Sequence, residues 1–111
     1  MRNFYIQNES VMKINIVMDY IPNTLLDIIG EDEKRIVPIL LLKLYSYQLL
    51  RSIAYIHAKG ICHADIKSNN VLVDTDSHFL KLCDFNLSKY IQQVEPYTYL
   101  NIGIQWHFSP E

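Results

Sequence analysis

The chain has 111 residues, half of them hydrophobic and 20% charged, with a net charge of −2. That is enough for one small domain with a modest core, and the composition argues against disorder. The weak negative balance argues against a nucleic-acid surface or an anionic membrane as partner. Cys62 and Cys83 are too few and too scattered for a disulfide framework or a zinc site, so a reduced intracellular protein, cytoplasmic or nuclear, is expected. Residues 1–10 lack the apolar core of a signal peptide. The most hydrophobic run, residues 36–50, is broken by Pro38 and Lys43 and falls short of a membrane span, so a soluble protein is expected.

In chain order, Tyr5 and Ile6 belong to a first strand and residues 7–10 form a turn. Residues 13–18 (K-I-N-I-V-M) alternate and are rich in β-branched side chains, which predicts a second strand. Residues 19–23 break it. Residues 24–29 read as a short apolar helix stopped by Gly30. A long helix starts near Pro38, because proline is tolerated in the first helical turn. Leu42, Tyr45, Leu49, Ile53 and Ile56 recur at three and four residues and give it an apolar face. Gly60 is the expected C-cap, with Lys59 suited to the negative helix end. After a polar loop, residues 71–74 and 79–83 predict a β-hairpin around residues 75–78. Residues 87–93 predict a turn of helix, and the remainder through Glu111 reads as loop.

Two short motifs stand out. His63-Ala64-Asp65-Ile66-Lys67-Ser68-Asn69-Asn70 reads H-x-D-x-K-x-x-N, and Asp84-Phe85-Asn86 follows fourteen residues after Asn70. Each acidic residue alone is most simply a solvated loop side chain. Together, in this order and spacing, they match a catalytic loop and a metal-binding loop for phosphoryl transfer.

With the element order, these motifs resemble the middle of a eukaryotic-type protein kinase. The stretches V-M-D-Y-I-P-N-T, K-L-Y-S-Y-Q-L-L-R-S-I-A-Y-I-H-A-K-G-I-C-H and L-K-L-C-D-F resemble the glycogen synthase kinase-3 (shaggy) family, and E-P-Y-T-Y sits where that family has its activation-loop tyrosine. The resemblance implies an α+β, partial protein-kinase-like fold in one domain over residues 1–111. Residues 1–21 would supply the last small-lobe strands and the hinge. Residues 22–111 would supply the first half of the helical large lobe, with the catalytic loop and activation segment.

The resemblance also implies an ATP-dependent serine/threonine protein kinase that uses Mg²⁺ and a protein substrate. Asp65 would accept or orient the hydroxyl proton, and Lys67 would neutralise the transferring phosphoryl group. Asn70 and Asp84 would ligate Mg²⁺ through hard oxygens. Asp19 and Ile21 would offer backbone groups to the adenine ring, Met18 would be the gatekeeper, and Leu72 the apolar floor of the adenine pocket. His63 is expected to be structural and Cys83 a small buried hydrophobe.

Some positions depart from the family pattern. Ala64 stands where the family has an arginine that can pair with a phosphate. Asn86 replaces a glycine, and asparagine is expected to tolerate a left-handed turn there. Ile104, Gln105 and Phe108 replace a hydroxyl residue and two arginines in the substrate-docking segment, which reduces the basic groups that would read a phosphorylated substrate. The glycine-rich loop, the strand lysine with its helix glutamate and the later helices are not among the 111 residues. Weak activity of the isolated chain and a sizeable exposed apolar surface are therefore expected. A kinase remnant that acts as a non-catalytic protein-interaction module is the alternative reading.

Overall fold

The computed structural model describes residues 2–8, 12–30 and 36–91. The expected activation-loop tyrosine region and the substrate-docking segment lie outside the described residues, as do residues 9–11 and 92–93.

Strands β1 (Asn3–Asn8) and β2 (Met12–Val17) form an antiparallel hairpin, in register from Asn3 opposite Val17 to Asn8 opposite Met12. Gln7, expected in the turn, is in the strand because the register gives it Lys13 as a cross-strand partner. Met18 falls just outside β2. Phe4, Ile6, Ile14 and Ile16 remain more than half exposed.

Residues 18–22 connect without regular structure to β3 (Asn23–Thr24) and helix α1 (Leu25–Ile29). This helix is held by its ends. Thr24 Oγ1 accepts from the Asp27 backbone N–H at 3.2 Å, and Asp27 Oδ2 accepts from the Thr24 N–H at 2.7 Å. The reciprocal pair satisfies two backbone donors that the first turn would leave open. Gly30 stops the helix at φ 75°, its N–H donating to the Leu26 carbonyl.

Helix α2 (Ile39–Ala58) follows Pro38. Tyr45 and Ile56 are buried, and Leu41 and Leu49 pack on the core. Leu42, expected on that face, is 40% exposed. At about 100° per residue the inward stripe runs 41, 45, 49, 52, 56, and Leu42 sits a full step round the helix from it. The helix ends at Lys59, and Gly60 is the first residue beyond it, at φ 71°. No atom lies within 4 Å of where a Cβ would sit on Gly60, so the backbone angle and not space requires glycine there.

Beyond α2, β4 (Ile61–Cys62) pairs antiparallel with β7 (Lys89–Tyr90). The helical turn expected over residues 87–93 is therefore corrected to a strand for Lys89–Tyr90. A partner 27 to 29 residues away in the chain decides the conformation, and the Ile91 N–H donating to the Gly60 carbonyl extends the pairing. β5 (Val71–Val73) and β6 (Leu80–Leu82) form the expected hairpin, with β3 on the other side of β5. Val71, Val73 and Leu80 point inward onto Tyr45, joined by Leu25, Ile28, Leu41, Leu49 and Leu82. Leu72 and Lys81, paired in register, face the other side.

The α+β class read from the sequence is the class of the structure. No helix among the described residues is long and apolar enough to cross a membrane. The expected exposed apolar surface is present on α2, where Leu40, Tyr47, Leu50 and Tyr55 are each more than half exposed.

Candidate active site

The H-x-D-x-K-x-x-N segment connects β4 to β5 and is anchored by His63, whose side chain is fully buried. His63 Nδ1 accepts from the Asp65 N–H at 3.3 Å, so Nε2 carries the ring proton and donates to the Cys83 carbonyl at 2.9 Å. The Phe85 ring packs on it, with centroids 4.6 Å apart. One imidazole thus ties the loop to the end of β6. Ala64 follows at φ 63°, a left-handed angle that costs a non-glycine residue about 1–2 kcal/mol and turns the chain between His63 and Asp65.

Three of the expected residues form one hydrogen-bonded cluster. Asp65 Oδ2 accepts from Lys67 Nζ at 2.8 Å and from Asn70 Nδ2 at 2.8 Å. Asn70 Nδ2 also donates to the Asp65 backbone carbonyl at 2.9 Å. The side chains of Asp65 and Lys67 are 10% and 25% exposed, so water competes only partly for these bonds. Among the described residues, Oδ1 of Asp65 accepts no hydrogen bond and is the oxygen left for an incoming group. The ammonium of Lys67, and then the Asn70 amide, hold the Asp65 carboxyl below its ordinary range against the opposing effect of burial, so it is ionised at neutral pH.

A pH prediction follows from that depression. Because the folded pKa is lowered, the bonded carboxylate contributes stability above its unfolded pKa and loses it as pH falls through the folded value. Lys67→Met removes the main cause, so the Asp65 pKa rises and acid unfolding begins at higher pH than in the wild type. A ¹³C titration of the Asp65 carboxyl beside an acid-unfolding curve measures both, and coincident wild-type and variant curves would refute the coupling.

Asp84 reaches the cluster through the backbone. The 3₁₀ turn Ser68–Asn70 closes with the Asn70 N–H on the Lys67 carbonyl, and the Cys83 N–H donates to the Asn70 carbonyl at 2.9 Å. Asp84 is the next residue, exposed and at φ 60°. The left-handed turn expected at Asn86 is thus made by Asp84, whose Oδ1 accepts from the Asn86 N–H at 3.4 Å. Burial, with the Asp84 charge, raises the pKa of the half-buried Cys83 thiol, consistent with a hydrophobe and not a nucleophile.

The donor set fits a hard divalent cation. Asn70 commits its amide nitrogen to Asp65, which leaves Oδ1 as the amide atom available to a metal, and Asp84 supplies a carboxylate. Oxygens of this kind suit Mg²⁺, which keeps waters and substrate phosphates as its other ligands. No group of three or more His, Cys, Asp or Glu side chains gathers among the described residues, so the protein alone would not form a closed metal cage.

The residues expected on the nucleotide side lie elsewhere. Met18, Asp19 and Ile21 line an open cavity of about 530 Å³ together with Arg2, Phe79 and Lys81. Met18 is 68% exposed and takes no part in the core. None of Asp65, Lys67, Asn70 or Asp84 lines that cavity. Leu72 does not line the cavity; it sits in the central strand β5, opposite Lys81, which does. Two further positions that hold these elements together were missed in the sequence. Gln48 donates to the His78 carbonyl at 2.8 Å and accepts from the Leu80 N–H at 3.0 Å, fastening the β5–β6 hairpin to α2. A glutamine one residue from the inward stripe of an apolar helix was its signal. Lys81, which bonds Asp19 at 2.8 Å, had none, since the pair is 62 residues apart.

The sequence profile of the protein kinase domain matches residues 2–111. The protein named "Protein kinase gsk3" in Schizosaccharomyces pombe is 45% identical over 91 residues, covering 80% of this chain and 24% of the relative. "Glycogen synthase kinase 1" of Pyricularia oryzae is 41% identical over 101 residues, covering 86% of this chain and 26% of the relative. The chain spans about a quarter of the length of these curated relatives.

Proposed function

This chain belongs to the protein kinase family, and from that premise we propose that it carries the phosphoryl-transfer residues of a serine/threonine protein kinase of the glycogen synthase kinase-3 kind. The reaction is transfer of the ATP γ-phosphoryl group to a protein Ser or Thr hydroxyl, inside the cell. The observation that carries this reading is the closed Asp65–Lys67–Asn70 cluster, joined through Asn70 and Cys83 to Asp84.

In this reading Asp65 orients the substrate hydroxyl through Oδ1 and receives its proton as the new P–O bond forms and the bond from the γ-phosphorus to the β,γ-bridging oxygen breaks, with ADP leaving. Lys67, bonded to the same carboxylate, offsets the charge of the transferring group. Asn70 fixes the Asp65 carboxylate with its amide nitrogen, and its oxygen together with the Asp84 carboxylate would hold Mg²⁺. Mg²⁺, when bound, neutralises charge on the phosphates. Backbone groups of Asp19 and Ile21 take the adenine edge, Met18 flanks it, and Leu72 lies under the ring.

A non-catalytic protein-binding role is the second reading, favoured by the exposed apolar side chains of α2. Calorimetry with Mg-ATP separates the two. The kinase reading expects saturable binding, weakened roughly tenfold or more in Asp84→Asn, the size of a lost charged contact of about 1.5–3 kcal/mol. A folded chain that binds no nucleotide would overturn it in favour of the interaction role.

A further inference from the structure

We propose that the side chain of Asp19, held by Lys81 and Arg2, is a positioning strap that fixes the nucleotide-side segment 18–22 to the sheet. The inference rests on the kinase reading for its consequence and on geometry alone for its existence. Residues 18–22 have no regular structure and no ladder of hydrogen bonds. Among the described residues, the side-chain bonds that tie them to the sheets come from one forked carboxylate. Asp19 Oδ2 accepts from Lys81 Nζ at 2.8 Å, and Oδ1 pairs with Arg2 Nε. The two oxygens therefore reach β6 on one side and the residue leading into β1 on the other. Both cations hold the Asp19 carboxyl below its ordinary range, Lys81 more than Arg2.

Strand register gives the strap its place. Lys81 is directly opposite Leu72, and side chains of such a pair project to the same face. That face is the one away from the Tyr45 core. The strap thus runs from beside Leu72 to Asp19, joining the expected floor of the adenine pocket to the segment whose backbone would hold the adenine edge. The cavity lined by Arg2, Met18, Asp19, Ile21 and Lys81 lies along it. Asp19 consequently has two separable duties, a backbone one toward the nucleotide and a side-chain one that sets where that backbone sits.

The strap is partly exposed, with 54% of the Lys81 side chain and 34% of the Asp19 side chain accessible. Each arm is therefore weak, being open to water, and weakens further with salt. The effect belongs in ligand affinity and local motion, not in global stability.

The test uses the full chain and two readouts. Lys81→Met and Asp19→Asn, which both keep every backbone group, are expected to speed amide hydrogen exchange of residues 18–21 about two- to fivefold. They are expected to raise the Mg-ATP Kd by a similar factor, with Lys81→Arg restoring both and high salt erasing the difference between wild type and variants. In a preparation that transfers phosphate, Lys81→Met raises KM for ATP while kcat holds. Unchanged exchange in both variants, or failure of Lys81→Arg to restore it, overturns the strap. Absence of nucleotide binding by the wild type counts against the kinase reading alone, because the exchange measurement still decides the strap.

Discussion

Asp65→Asn is expected to lower phosphoryl transfer by about 10²–10⁴-fold in the catalytically competent protein, with Mg-ATP affinity near that of the wild type. The substitution is nearly isosteric. The amide oxygen of the variant can still accept from Lys67 Nζ and Asn70 Nδ2, the two bonds that Oδ2 makes now. The amide nitrogen then takes the place of Oδ1, the oxygen without a partner among the described residues. A group that accepts a hydroxyl proton becomes one that can only donate, so the loop keeps its shape and loses its chemistry. Steady-state phosphorylation of a protein substrate measures the effect in kcat. Wild-type turnover in Asp65→Asn would remove Asp65 from the mechanism and leave the cluster a purely structural device.

Tyr45→Ala is expected to destabilise the fold by about 3–5 kcal/mol, the range for removing a large buried aromatic. Tyr45 is 4% exposed and lies against Val71, Val73 and Leu80 at the centre of the core. Its hydroxyl also pairs with His78 Nδ1 at 3.1 Å, across the turn that links β5 to β6. Tyr45→Phe keeps the ring and removes only that bond, so a loss of about 1 kcal/mol is expected. Urea denaturation of the two variants separates packing from hydrogen bonding. Small domains carry only about 5–15 kcal/mol in total, so the alanine variant sits near the limit of folding. A loss below about 1 kcal/mol in Tyr45→Ala would show that the aromatic ring does not hold the hairpin on α2.

What could be read from the sequence was what the chain encodes locally. Thr24, Asp27 and Gly30 set the bounds of α1 through bonds within three or four residues, and residues 71–74 and 79–83 carry their own turn. The Asp65–Lys67–Asn70 cluster is equally local, which is why its motif was legible. The β4–β7 pair was not, because Lys89 and Tyr90 take their strand conformation from Ile61 and Cys62. The inward face of α2 was placed one step off at Leu42, since leucines at both 41 and 42 satisfy the same spacing rule and only the fit against the sheet chooses between them. The turn at Asn86 was assigned by analogy with a glycine, whereas the carboxylate of Asp84 makes the bend itself.

The same contrast in chain distance sets the order in which the two halves of the site are secured. Asp65 and Asn70 are five residues apart, and Asp19 and Lys81 are 62 apart. For an unstructured chain, closing the longer loop costs about 2 kcal/mol more, from (3/2)RT ln(62/5). The Asp65–Asn70 loop can therefore organise around a few neighbours, while the segment at Asp19 is drawn in only once α2 and the β5–β6 hairpin have shortened the effective path between Asp19 and Lys81. A lesion in α2 or the β5–β6 hairpin therefore loosens the Asp19–Lys81 contact more directly than the Asp65–Asn70 bond, which closes within five residues.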